Sequence, residues 1–414
     1  MKCSRHFAAA VLCLVLAVAP AWAAKEVVQD GVVHVMNGEK PSKGSTTLKL
    51  EKQWSAGGEE GESFFGLITQ AVVDPDGNIY LLDTQLSEVQ VFSPTGQPLR
   101  KLSREGEGPG EVQRPTDLFF LPDGRLGLVQ AFPGKVVTID RQGNPGETIT
   151  LGGADPAKGG FMVLLDGNAA GGNLVLAGIR IATQQASQDR TSFLASFDTA
   201  GTEKARYLEQ TVKFDFTDFR VVEKDQYFVY PRRWAMGPSG EVYAAPLRDR
   251  YVINVYSPDG KLQRVIEREF TPRERTPKEM ARIQAVADAQ KRQVQAQNIE
   301  LKIELEKTEP AVSSITVRPN GELWVVSSRS TIDQPKGDML TYDVFDAKGE
   351  FVRQVPVACA ADGIEDGLFF AGNDHMLVVK GLADAAVTMQ GGSPEAAEGE
   401  EPAPMEVVYY RIAG

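Results

Sequence analysis

Asp74-Pro75-Asp76-Gly77 leads into Asn78-Ile79-Tyr80-Leu81-Leu82, and a tight turn followed by a short apolar run returns at Leu121-Pro122-Asp123-Gly124, Gly237-Pro238-Ser239-Gly240 and Arg318-Pro319-Asn320-Gly321. Runs of this length and alternation read as buried or half-buried strands. A second turn follows in each unit, at Ser93-Pro94-Thr95-Gly96, Asp140-Arg141-Gln142-Gly143, Asp198-Thr199-Ala200-Gly201, Ser257-Pro258-Asp259-Gly260 and Asp346-Ala347-Lys348-Gly349. The spacing of the two is nearly fixed: 19 residues from Gly77 to Gly96, 19 from Gly124 to Gly143 and 20 from Gly240 to Gly260. Glycine closes each turn because tight hairpin connections call for positive φ. Two hairpins per unit make a four-stranded antiparallel blade, and a period of roughly 40 to 50 residues is that of a propeller or a related array.

The units run 67–103, 115–151, 160–209, 226–268, 311–356 and 366–412, so the expected fold is all-β, a six-bladed β-propeller of four-stranded antiparallel blades. The third and sixth are the least regular, with Gly171-Gly172-Asn173 and Gly372-Asn373-Asp374 at their first turns. The sixth stops at Tyr409-Tyr410-Arg411-Ile412, which matches a third strand and leaves the fourth missing. The run Thr46 to Trp54 has no partner of its own and is expected to supply that strand, closing the ring and removing two open edges.

Thr276-Pro277-Lys278-Glu279 carries a capping residue, a proline at the first helical position and an acid at the third. A helix over 277–297 is expected inside an insertion at about 272–310, between the fourth and fifth blades, with Met280, Ile283, Ala287 and Val294 near one stripe. After it, Ile299, Leu301, Ile303 and Leu305 alternate with polar residues in a strand-like way. Ala383 to Pro404 is acidic, holds no basic residue and is rich in Gly, Pro and Ala, so it is expected to be a flexible loop.

Lys2 and Arg5, an apolar run from Phe7 to Val18 and Ala21-Trp22-Ala23 form a secretory signal, with cleavage expected after Ala23 and a periplasmic or secreted mature chain. Residues 24–44 are then an N-terminal extension and 45–414 the propeller. No later stretch is apolar enough to span a bilayer. Of Cys3, Cys13 and Cys359 only the last remains after cleavage, so no intramolecular disulfide is available. Cleavage takes the formal net charge from −12 to −14, which argues against nucleic acid or anionic lipid as partner. The mature protein is expected to be a monomer.

The run Arg104-Glu105-Gly106-Glu107-Gly108-Pro109-Gly110-Glu111 is glycine-rich, but its carboxylates would repel a phosphate and a strand, not a helix, follows it. It reads as an inter-blade connection, as does Gly57 to Phe64. Together with Asp30-Gly31-Val32-Val33-His34-Val35-Met36-Asn37 and the recurring Pro-Asp-Gly, strand, Asp pattern, it resembles secreted bacterial six-bladed β-propeller proteins related to NHL-repeat propellers. That resemblance implies the fold and export and carries no activity with it.

Zinc chemistry is disfavoured because the mature chain holds only His34 and His375, in no metal-ligand spacing. No Gly-x-Ser-x-Gly elbow is present, and nothing beside Cys359 would activate its thiol. Residues on inter-blade connections and at the start of innermost strands face the channel mouth, which makes Glu111, Arg114, Asp117, Arg180, Arg232, Arg233, Trp234 and Asp366 the candidate ligand-binding residues. Catalytic residues are not identified. The expected function is binding or scaffolding of a protein, peptide or glycan on one rim or at the channel mouth, with no cofactor. The alternative is a calcium-dependent, lactonase-like hydrolase or lyase with carboxylates in the channel.

Overall fold

The computed structural model describes residues 24–389 and 404–413, apart from 60, 62, 153–159, 231, 296–299 and 333. The expected cleavage point at Ala23 lies outside these residues. The chain is mostly strand. Antiparallel meanders at 68–102, 115–150 and 160–215 form separate four-stranded sheets. A fourth, 234–268, lies within a six-stranded sheet, and two more, at 312–358 and 367–413, lie within an eight-stranded one. The third meander is taller than the sequence suggested: its strands are 11 to 13 residues long and it ends at Asp215.

The turns do what their sequences ask. Gly77, Gly124, Gly240 and Gly321 have φ of 81°, 83°, 90° and 81°, and Gly96, Gly143, Gly201, Gly260 and Gly349 lie between 79° and 91°. At Asp74 the carboxylate accepts from the backbone N–H of Asp76 and Asn78, from the Asn78 amide and from the Tyr80 hydroxyl. Asp140, Asp198 and Asp346 repeat the backbone part of this arrangement. An aspartate that caps its own turn explains why the acid and the glycine travel together.

The innermost strands are neighbours in sequence: Ile68–Val73 lies beside Pro115–Phe120, that beside Gly160–Ala170, then Trp234–Met236, then Val312–Val317, while Gly367–Ala371 returns beside Ile68–Val73. Apolar side chains fill the spaces between adjacent meanders; one cluster joins Ile68, Ile79 and Phe92 of the first to Phe369, Leu377 and Tyr409 of the last. Because successive strands reverse direction, the tight glycine turns gather at one rim and the longer connections at the other.

The N-terminal segment ties four meanders together. Strands β1 (Lys25–Gln29) and β2 (Val32–Asn37) form a hairpin whose turn residues Asp30 and Gly31 have φ of 52° and 81°. β2 runs parallel to Leu262–Arg268 on the outer edge of the fourth meander. The buried side chain of Asn37 then donates to the carbonyls of Glu267 and Gly349, both at 3.0 Å, and accepts from Phe351 N at 2.8 Å, bridging the fourth and fifth meanders. Strand β3 (Leu48–Gly57) pairs antiparallel with Glu406–Ala413 over the register Tyr409↔Trp54 and Val408↔Ser55. Trp54 stacks on Tyr409 at 5.0 Å and Phe92 at 5.7 Å, and its indole N–H donates to Pro94 O at 3.1 Å.

Helix α1 (Pro277–Gln295) opens on a reciprocal capping box: Glu279 N donates to Thr276 Oγ1 at 3.2 Å and Thr276 N to Glu279 Oε2 at 2.7 Å. Of the expected stripe only Ala287 is buried, so ion pairs rather than an apolar face hold the helix down. Arg282 pairs with Glu365 and Asp384, and Arg273 with Glu279, whose carboxyl is pushed down to about 2, first by that guanidinium. Lys302–Glu304 pairs in parallel with Arg220–Val222. The acidic segment departs from expectation at its start: Leu382–Met389 is a helix, α2, since this stretch is itself apolar and Asp384 is held by Arg282. Residues 390–403 of that segment lie outside the described residues. No helix among the described residues is long and apolar enough to cross a membrane.

Candidate functional site

The inner strands enclose a channel. Its cavity of about 420 Å³ is lined by residues of all six meanders, among them Gln70, Asp117, Asp166, Trp234, Ser314 and Phe370. A second cavity of about 430 Å³ lies on the other side, towards the rim of long connections, beneath Arg273, Glu279 and Arg282. Arg232, Ser314, Tyr342 and Leu368 border both, and form the waist between them.

Asp117 lies within its strand at the level of Gln70 and is almost fully buried. Its Oδ1 accepts from Gln70 Nε2 and its own neighbour Leu118 N, both at 2.8 Å, and its Oδ2 accepts from Gly167 N at 2.9 Å. Asp166, one strand on, accepts from the Trp234 indole N–H at 2.8 Å. Burial, followed by the charge of Asp117 beside it and a hydrogen bond between the two carboxyls, raises the pKa of Asp166 well above the carboxylate range. Arg232 supplies the positive charge: burial lowers its pKa while Asp117 and Asp166 push the other way. Burial also raises the Tyr342 hydroxyl.

Three candidates from the sequence, Asp117, Arg232 and Trp234, thus line the first cavity together. Asp366 borders the second cavity, with its carboxylate taken up by Asp362 N and Gly381 N, both at 2.9 Å. The other four stand apart from both cavities. Glu111 folds back on its own loop, accepting from Arg104 Nε at 2.6 Å and Gly108 N at 2.8 Å, with Gly106 and Gly108 packed close against its carboxylate. Arg114 is exposed at a φ of 46°. Arg180 lies on the third sheet against Glu203 and the Phe193 ring. Arg233 points the opposite way from Arg232, donating to the carbonyls of Phe228 and Tyr230.

Asp166, Gln70 and Tyr342 escaped the sequence reading. The signal for Asp166 was there, an acid interrupting the apolar run Phe161 to Leu165 just before Gly167. Cys359 is a free thiol beside Met339, pushed up to about 11 by burial first and by nearby acids. His34 contacts Glu267 and His375 contacts Asp374, on different meanders. Among the described residues no group of three or more His, Cys, Asp or Glu is placed to hold a metal ion.

No protein-family model and no curated protein matches the sequence. Solved structures do: a member of the DUF4221 family from Bacteroides vulgatus, at 11% identity and a TM-score of 0.47, covering 89% of this chain and 98% of that one. A gluconolactonase from Xanthomonas campestris is similar at 10% identity and a TM-score of 0.43, over 84% of this chain and 87% of that one. Virginiamycin B lyase from Staphylococcus aureus is similar at 10% identity and a TM-score of 0.41, over 88% of this chain and 100% of that one. No activity of this chain is read from these likenesses.

Proposed function

We propose that the protein is an exported six-bladed β-propeller, closed by β3, that binds a protein, peptide or glycan ligand at the mouth of its central channel. The observation that carries this is the convergence of Asp117, Asp166, Arg232 and Trp234 on one open cavity rather than on an apolar plug. Aromatic walls with a few aimed polar groups suit recognition.

The calcium-dependent alternative fits these residues poorly. Calcium takes about six to eight oxygen ligands, whereas both oxygens of Asp117 already accept N–H donors and Asp166 is committed to Trp234. A guanidinium in the same space opposes a second cation.

The test is binding of the mature chain to arrayed peptides and glycans, beside Thr316→Trp, which fills the channel wall away from the four residues. A ligand held by the wild type and lost in the filled variant is expected. Binding that survives the filling, or no ligand on either array, contradicts the reading.

A further inference from the structure

Arg232 spans the channel. It stands at the entry to the inner strand of the fourth meander, and its Nη2 donates at 2.8 Å to Thr69 O on the first meander, three places away around the ring. One face of the guanidinium lies over the Phe369 ring at 4.2 Å. Among the described residues that carbonyl is its only hydrogen-bond partner, and no carboxylate reaches it within salt-bridge distance.

Three other buried arginines hold carboxylates, whereas Arg233, which borders neither cavity, donates to carbonyls alone as Arg232 does. Arg248 holds Glu223 and Asp249, Arg268 holds Asp343, and Arg275 holds Glu223 and Glu309. Leaving a cation in a channel without a direct counter-charge is costly unless something supplies one. Asp117 and Asp166 stand near enough to favour its charged form, yet neither pairs with the guanidinium directly, since Asp117 accepts from three N–H donors and Asp166 from the Trp234 indole. The backbone adds a second sign: Arg232 has a φ of 61°, in the left-handed region that residues other than glycine seldom adopt. Such strain persists where the surroundings hold a side chain to a task.

We propose that Arg232 is the receptor for a carboxylate on the ligand that enters the channel. The inference rests on the channel-binding reading above and names the chemistry of what is bound. The guanidinium keeps its Nε and Nη1 donors for a planar, two-oxygen anion, the geometry in which arginine surpasses lysine. The aromatic rings of Phe369, Phe370 and Trp234 around it favour a carboxylate borne on an apolar or ring-bearing group. The same recognition serves a free acid or the acidic end of a longer chain.

Benzoate and benzamide differ in charge and hardly in shape, so they test this on the wild-type mature protein by calorimetric titration. Benzoate is expected to bind saturably and benzamide at least tenfold more weakly. Arg232→Gln should lose benzoate by tenfold or more with its circular dichroism unchanged, and Arg232→Lys should recover part of it. Should Arg232→Gln not fold, the benzoate and benzamide pair still decides. Equal binding of the two overturns the carboxylate assignment while leaving the channel reading in place, and so does inorganic phosphate binding as tightly as benzoate. Absence of benzoate binding overturns the assignment outright, whereas the channel reading falls only if array ligands ignore Thr316→Trp.

Discussion

A carboxyl whose pKa is raised by burial and by a neighbouring acid changes how the fold responds to pH. Asp166 has a folded-state pKa raised above its unfolded value of 3.8, first by burial and then by Asp117. Its contribution to stability is therefore complete below that unfolded value and is given up as pH rises through the folded pKa. Asp166→Asn keeps an acceptor for the Trp234 indole and removes the titration. The difference in Tm between variant and wild type should shift in the variant's favour between pH 4 and pH 8; a difference that stays constant over that range contradicts the raised pKa of Asp166. At this scale the sequence was partly legible. Asp117, Arg232 and Trp234 could be nominated because they sit on or just before recognisable inner strands. Asp166 could not be matched to them, since its level with Asp117 follows from how the third meander packs against the second.

Among the elements, turns were the most readable and edges the least. A tight glycine turn is decided within a few residues by a positive φ and often by an aspartate that caps it, as at Asp74 before Gly77 and Asp140 before Gly143, so these turns announced themselves. Where β1 and β2 would dock was not announced, because parallel pairing to Leu262–Arg268 leaves no local pattern. α2 was hidden for a related reason: the acidic average of a long segment concealed the apolar stretch Leu382–Met389 at its head. The N-terminal segment nonetheless has one residue on which much depends. Asn37→Ala removes two donated hydrogen bonds, to Glu267 O and Gly349 O, and the acceptor of Phe351 N in a buried seam. It should destabilise the protein by about 2 to 3 kcal/mol, read from urea unfolding with an unchanged m-value. A loss below roughly 0.5 kcal/mol, the range of ordinary surface substitutions, would mean that the seam between the fourth and fifth meanders does not need it.

For the molecule as a whole, a channel with a defined waist requires a ring that does not open. The proposed closure joins the two ends of the chain: β3 lies against Glu406–Ala413, and Trp54 bridges Tyr409 of the last meander to Phe92 of the first. A terminal strand that merely decorates an edge frays independently, whereas one that closes a ring opens only with the whole. Native-state hydrogen exchange distinguishes these. The amides of Leu48–Gly57 that pair with Glu406–Ala413 are predicted to exchange as slowly as the central-strand amides of Leu377–Val379, through global unfolding. Exchange of β3 many times faster than those amides, with the remainder still protected, would contradict a closed ring and the channel built on it.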